Sequence, residues 1–397
     1  MKILIIGNGF DIAHTLNTRY SDFQSFVERF ETEYERKNAI PEDALFRAAI
    51  GNPHGRAIAR LELLCMDDML HNEPKMGDFF HHCVSDNLLL DYFKSRSFAP
   101  GYRWMDYEAE IEKLILLIDS SVGSGSIDRQ VESGLSQIVD DFVIKKTINP
   151  ETSNLSMENE VFSYRLLLSR LNDDLIRLTN ALELYMSRYV QDYNWRDDSS
   201  HRDRSKYKPF SCFRDVDKLL NFNYTDTFMR QYNRDVDCCY VHGKAQIKLK
   251  ELCSAIRDGH TVKRDPSIVL GISDENEDGE IKFHAPESLY YDFQKFMLRE
   301  QHGDKHWKEW IKDKSEIFEV HVVGHSLTYS DKDILDSFLL LPETNPGSTV
   351  KIYYLDADSK KDLQKNLVKM IGKGEFKELS RIGIEYLPVG DIIRGRL

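Results

Sequence analysis

The chain has 397 residues, 41% of them hydrophobic, enough for one large or two medium domains with buried cores. Asp and Glu number 66 against 53 Lys and Arg, and the resulting net charge of −13 excludes a broad, sequence-independent attraction to nucleic acid or to an anionic membrane. No apolar run approaches the roughly 18 residues of a membrane span. The N-terminal apolar stretch is cut by Gly7 and Asp11 too soon for a signal peptide, so a cytoplasmic location is expected.

The first predicted element is a strand. Ile3, Leu4, Ile5 and Ile6 form a continuous apolar run, as expected of a parallel strand covered on both faces. Gly7 and Gly9 then suggest a tight turn, since both can take positive φ and let a ligand approach the backbone, followed by a helix opening at Ile12, Ala13 and His14 whose free N–H groups point at a phosphate. The dinucleotide fingerprint G-x-G-x-x-G is incomplete, because Ile12 stands at its third glycine. Glycines that merely end a strand are the competing reading. Asp11 suits a ribose hydroxyl or a helix cap better than a phosphate.

From 21 to 209 the pattern is helical. Ile111, Leu114, Ile115 and Ile118 mark one amphipathic helix, opened by the stretch from Trp104 to Glu108. Tyr164, Leu168, Leu171, Leu175, Leu178, Leu182, Tyr185 and Tyr189 mark another, spaced alternately four and three apart. That stripe reads as the core face of an intramolecular bundle, with a homo-oligomeric seam as the alternative. Ser120 to Ser126 and Asp197 to Lys208 read as linkers. The six cysteines, Cys65, Cys83, Cys212, Cys238, Cys239 and Cys253, include no C-x-x-C pair, so buried thiols are expected and bound zinc is not.

After 210, Val216 to Leu220, Cys238 to Val241, Ser267 to Gly271, Glu319 to Val323 and Val350 to Leu355 read as short strands separated by helix-length segments. The expected fold class is α/β, a Rossmann-like doubly wound parallel sheet with a large helical insertion. Residues 1–20 plus 210–397 would form the nucleotide-binding domain, and 21–209 the insertion. Ligands of such sheets sit beyond the carboxyl ends of the strands. Four polar clusters meet that test: Gly7 to His14, Asn221 to Asp226, His242 with Gly243, and Gly324 to Ser326.

Each cluster also has a plain structural reading. Asn221, Asn223 and Thr225 can bond the backbone of their own turn. His242 can be a packing residue, and Asp331 can cap the following helix. A serine nucleophile elbow at Ser326 is excluded, since Thr328 stands where G-x-S-x-G requires glycine. Asp356 and Asp358 follow the last clear strand and could meet a ribose.

The segment from Ile6 to His14, followed by Tyr20, Ser21, Asp22 and Phe23, resembles the N-terminal signature of the bacterial abortive-infection AbiH family. Asn221 to Thr225, Val241 to Gly243, and Val323 to Leu327 with Asp331 resemble later motifs of that family, so the resemblance spans nearly the whole chain. The same motifs are similar to those of sirtuin-like NAD-consuming proteins. That resemblance implies His242 as catalytic base and Asn223 beside the nicotinamide ribose. It implies NAD contacts from Gly7, Asn8, Gly9, Phe10, Asp11, Tyr20, Asp22, Phe23, Thr225, Gly324, His325, Ser326 and Asp331, with no metal. By family resemblance, Trp104, Asp106 and Glu108 would reach the nucleotide, a rival to a dipole role for the two acids.

Departures from the sirtuin pattern argue against deacylation: no zinc module, Phe10 in the glycine turn, and Gln24 after Phe23; Thr225 replaces an aspartate that the pattern sets beside the ribose. Cutting NAD requires less. Nicotinamide leaves as a good leaving group without a general acid, so a base and an orienting group suffice, and an imidazole with a pKa of about 6.5 is such a base. The function implied is an anti-phage effector that binds NAD or a related nucleotide and hydrolyses NAD to ADP-ribose and nicotinamide, answering a phage trigger or a neighbouring defence protein. The alternatives are a nucleotide sensor without turnover, and a toxin or scaffold whose helical domain engages a phage or host protein.

Overall fold

A computed structural model describes residues 1–37, 61–97, 107–124, 157–193, 208–247, 252, 256–257, 261–262, 264–273 and 290–393. Six strands form one parallel sheet: β1 (Lys2–Ile6), β2 (Lys218–Asn221), β3 (Asp237–Tyr240), β6 (Glu319–Val323), β7 (Thr349–Tyr354) and β8 (Ile384–Pro388), in the order β3-β2-β1-β6-β7-β8. A separate two-stranded antiparallel ribbon joins β4 (Ile256–Arg257) and β5 (Thr261–Val262). β1 lies at the centre, and its apolar run is explained by cover on both faces. Ile3 and Ile5 pack with Val320, Val322, Trp307 and Phe338, while Leu4 and Ile6 pack with Phe10, Phe210 and Phe228.

Register sets up everything that follows. Ile6 pairs with Asn221 on one side and with Val323 on the other, and Asn221 pairs with Tyr240. Four strands therefore finish in one row, and the residues after each emerge at a common edge. In an order whose direction of winding reverses between β1 and β6, that edge is where the chain leaves a crevice.

Two strand assignments change. Ser267 to Gly271 forms no strand of the sheet among the described residues; its Ile268, Val269 and Leu270 are buried, and lateral contact is limited to isolated bridges, at Ile268 and from Ile272 to Gln294. A buried apolar run held only by isolated bridges looks the same in sequence as a strand. Ile384–Pro388 does not read as a strand in the sequence because it is an edge strand with one buried residue, and it ends in a proline that only an edge tolerates.

The chain divides into two compact units. The first comprises Met1–Arg19, Met186–Gln246 and His302–Leu397, and the second Tyr20–Tyr185 and Ile247–Gln301. All six strands of the parallel sheet lie in the first unit. Residues 247–301, assigned by their strand-like runs to the sheet-bearing part, group instead with the helical unit, and 186–209 group with the sheet.

Within the second unit Leu168, Leu171, Leu175, Leu178, Leu182 and Tyr185 are buried, as the core-facing reading of that stripe requires; the side chain of Tyr164 lies outside the described residues. Ile111, Leu114, Ile115 and Ile118 are buried too, on a helix that runs Tyr107–Ser124. The linker expected from Ser120 is thus helical through Ser124. Buried Asp174 accepts hydrogen bonds from Arg170, Arg177 and the Leu88 N–H, so its charge is fully partnered. Among the described residues no helix is long and apolar enough to cross a membrane.

Candidate functional site

The strand-end row begins with the turn after β1. The helix expected at Ile12 starts earlier, spanning Asn8–Ala13, which places Gly9 inside its first turn. Gly7 is extended at φ −125°, and neither it nor Gly9 has positive φ. The glycines answer a different demand. A Cβ on Gly7 would lie 2.7 Å from His325 Cα, and one on Gly9 would lie 2.8 Å from Gly324 Cα. Gly9 N–H donates to Gly324 O at 2.8 Å, and Gly7 N–H to Val323 O at 3.2 Å. Gly324 has φ +68°, and a Cβ there would lie 2.3 Å from Phe10 N. Backbone meets backbone at the switch between β1 and β6, and only glycine allows it.

The turn after β2 closes on the same feature. Asn221 Oδ1 accepts the Asn223 N–H and its amide donates to Thr225 O, while Asn223 Nδ2 donates to Gly7 O at 3.1 Å. These are the local bonds that Asn residues form in turns, extended by one bond that fastens β2 to β1. Asn8 is similarly engaged with Thr18, through its Nδ2 to Thr18 O and its Oδ1 from Thr18 Oγ1.

Asp11 is buried, its Oδ2 accepting from Thr225 Oγ1 while Oδ1 has no hydrogen-bond partner. Burial pushes its pKa from 3.8 to about 6, against the lowering effect of Thr225 and Thr227. The folded state then holds a proton that the unfolded state has lost between those values, so this contribution to stability is present below pH 4 and lost as pH rises through 6. Asp11→Asn removes it. Its stability relative to the parent, from urea unfolding, should be near constant below pH 4, then rise to a plateau above pH 6 that is higher by on the order of 3 kcal/mol. Parallel curves for the two proteins would refute the assignment.

Beyond β3 and β6 the sheet edge carries a histidine–aspartate–histidine cluster. His242 Nε2 lies 3.2 Å from Asp331 Oδ1, and His325 Nε2 lies 3.5 Å from Asp331 Oδ2. All three residues are buried, and Phe222 meets both rings edge-on at centroid distances of 5.4 Å and 4.3 Å. The His325 tautomer follows from its other nitrogen. Leu327 N–H donates to Nδ1 at 2.9 Å, so the ring proton is on Nε2, facing the carboxylate. Leu327 holds φ +54°, an unusual value for leucine that keeps this bond in place. With Asp331 as acceptor, His242 likewise carries its proton on Nε2 and its lone pair on Nδ1.

Asp331 corrects the sequence reading. It precedes the helix Lys332–Leu339, yet its side chain makes no capping bond and serves the two histidines instead. Two buried imidazoles that each need an acceptor were the available signal; their common partner was not legible. Ser326 is exposed and its carbonyl accepts from Asn366. Asp356 caps the helix Ala357–Ile371 through a capping box with Ser359, which accounts for that acid without a ribose.

Other expected contacts fall elsewhere. Phe10 is part of the core, its ring stacked on Phe210 at 4.9 Å and close to His14, Phe228 and Tyr232, so it is a packing residue. His14 beside it bonds Phe10 O and the Tyr232 hydroxyl, and burial lowers its pKa to about 4. Tyr20, Asp22 and Phe23 belong to the second unit. There Tyr20 stacks on Tyr107 at 4.6 Å, and Phe23 is buried against Tyr107 and Tyr185. Glu108 pairs with buried Lys295 at 2.8 Å in that unit, while Trp104 and Asp106 lie outside the described residues.

The sheet, its aligned strand ends and the buried carboxylate shared by two imidazoles define an α/β protein with a polar constellation at the carboxyl edge of a six-stranded parallel sheet. The family model described as bacteriophage abortive infection AbiH matches residues 3–354. The chain belongs to that AbiH family. No curated protein and no solved structure matches it.

Proposed function

We propose that this chain is a cytoplasmic effector of phage abortive infection that binds NAD or a related nucleotide at the strand-end row and hydrolyses NAD to ADP-ribose and nicotinamide. Family membership supports the defence role. The strand order, equivalent to 3-2-1-4-5-6 when the six strands are counted alone, is that of dinucleotide-binding folds and supports a nucleotide as ligand. The single observation that carries the chemistry is the His242–Asp331 contact of 3.2 Å at the end of β3.

Asp331 orients the His242 ring and stabilises the imidazolium once the ring takes a proton, the role a buried aspartate plays beside any catalytic histidine. In the step proposed, water oxygen bonds to the ribose carbon and His242 accepts a proton from that water. The ribose–nicotinamide bond breaks, and its electron pair neutralises the nicotinamide ring. Asn223 contributes by holding the turn, through Gly7 O, at the geometry this step requires. The resemblance of the Asn223 and His242 motifs to those of sirtuin-like proteins supports a reaction that needs a base and no general acid.

Incubating the full chain with NAD should release nicotinamide and ADP-ribose in equal amounts. A second reading, a sensor that binds without turnover, draws on one observation: the Gly9 N–H and the Asn223 amide are already engaged within the protein. NAD binding by calorimetry without nicotinamide release would favour the sensor. Absence of both would end the nucleotide reading.

A further inference from the structure

β3 is an edge strand, and the segment ahead of the short helix Trp307–Trp310 lies against it. Trp307 and Trp310 share a core with Cys239 of that strand. This packing brings together Cys239 Sγ, a carboxylate oxygen of Asp304 and a ring nitrogen of His306, all within 4.8 Å of one another. Cys239 and Asp304 are 65 residues apart in sequence, which is why no C-x-x-C spacing announced them. His306 Nδ1 lies 2.6 Å from Asp304 Oδ1, and its Nε2 lies 2.9 Å from Asp237 Oδ1. Asp237 is itself held, its Oδ2 accepting from Lys218 Nζ at 2.6 Å and Trp310 Nε1 at 3.1 Å.

We propose that Cys239, Asp304 and His306 form a binding site for a thiophilic divalent cation, Zn²⁺, with Nδ1 of His306 as ligand and its Nε2–H held by Asp237. A thiolate, an imidazole and a carboxylate are a zinc donor set and a poor one for Ca²⁺ or Mg²⁺, which take oxygen ligands. Tetrahedral zinc with bonds of about 2.0 to 2.3 Å places its ligand atoms roughly 3.3 to 3.6 Å apart. From atoms within 4.8 Å of one another, binding the ion would draw the thiol in and open the 2.6 Å contact between His306 Nδ1 and Asp304 Oδ1. The outer carboxylate is the second observation. A metal-bound histidine normally donates its other N–H to a carboxylate, which fixes ring and tautomer, and Asp237 stands at that position with both its oxygens engaged. The ion would fasten 304–306 to the outer edge of the sheet, a part of the molecule distinct from the His242–Asp331–His325 cluster, and this inference does not rest on NAD chemistry.

The test uses the purified full chain. Zinc content should approach one per chain after equilibration with Zn²⁺, and the thermal midpoint should rise on zinc addition. Co²⁺ in place of zinc should give a thiolate-to-metal charge-transfer band in the near ultraviolet. Cys239→Ser should lose the band and Cys212→Ser, at an exposed thiol, should keep it. His306→Gln, at a half-exposed position, should lose both the band and the zinc-dependent midpoint shift. Asp237→Asn should bind about 10- to 100-fold more weakly rather than not at all. A hydrogen-bonded clamp with no metal is the rival. Zinc well below one per chain in the parent would establish it, and a charge-transfer band that persists in Cys239→Ser would overturn the proposal by placing the metal on another thiol.

Discussion

Gly324→Ala should destabilise the sheet-bearing unit by roughly 2 to 5 kcal/mol, a large part of the roughly 5 to 15 kcal/mol that holds a typical domain. Two costs combine. The residue sits at φ +68°, and forcing a side chain into that conformation costs about 1 to 2 kcal/mol. Its Cβ would also lie 2.3 Å from Phe10 N and 2.6 Å from Gly9 C, and backbone so close must move, at a cost of about 1 to 3 kcal/mol. Urea unfolding of the parent and variant measures the difference, and an unchanged midpoint would show that the two turns do not touch.

The same contact changes what Gly9→Val means. A side chain at Gly9 strikes the Gly324 backbone at 2.8 to 3.3 Å before it reaches any ligand. Loss of NAD affinity in that variant would accompany loss of stability, and the two are separated by measuring both.

His242→Ala should leave nucleotide binding nearly intact while NAD turnover falls by roughly 10² to 10⁴, the span of a positioned base. Asp331→Asn should fall comparably for a different reason. An amide can accept from one imidazole N–H only by turning its own NH₂ group toward the other, so one histidine must change tautomer or lose its partner. Residues acting as a unit are not additive, so the double variant should be little worse than either single one. Calorimetry with NAD, nicotinamide release and phage protection in cells read the outcome. Full protection by His242→Ala would remove the enzymatic reading and leave the sensor. A double variant whose loss equals the product of the single losses would show that the contact is not a working pair.

What the sequence determined by itself was local. Four consecutive apolar residues from Ile3 to Ile6 announce a strand covered on both faces, because burial on two sides leaves no position for a polar residue. The runs from Val216 to Leu220, Cys238 to Val241, Glu319 to Val323 and Val350 to Leu355 announce four further strands of its sheet, and polar residues follow three of them at the carboxyl edge. The AbiH motifs lay at those corners and led to the family that the chain proves to belong to. The heptad-like stripe from Leu168 to Tyr185 declared a buried helix face.

Tertiary structure alone decided which groups meet. Gly9 and Gly324 are a pair because β1 and β6 are neighbours, and no pattern around either one names the other. Asp331 looks like a helix cap in sequence, since an aspartate ahead of a helix bonds the nearest free N–H groups by default. Its carboxylate turns instead to His242 and His325, brought within reach by the common finish of β3 and β6 at one edge of the sheet. Phe10 lies in a motif yet serves the core, because the short helix that carries it packs its aromatic face against Phe210 and Phe228. Cys239 and His306 were invisible as neighbours for the same reason. Chemistry that depends on distance through space is written in the sequence only where the residues concerned are also close along the chain.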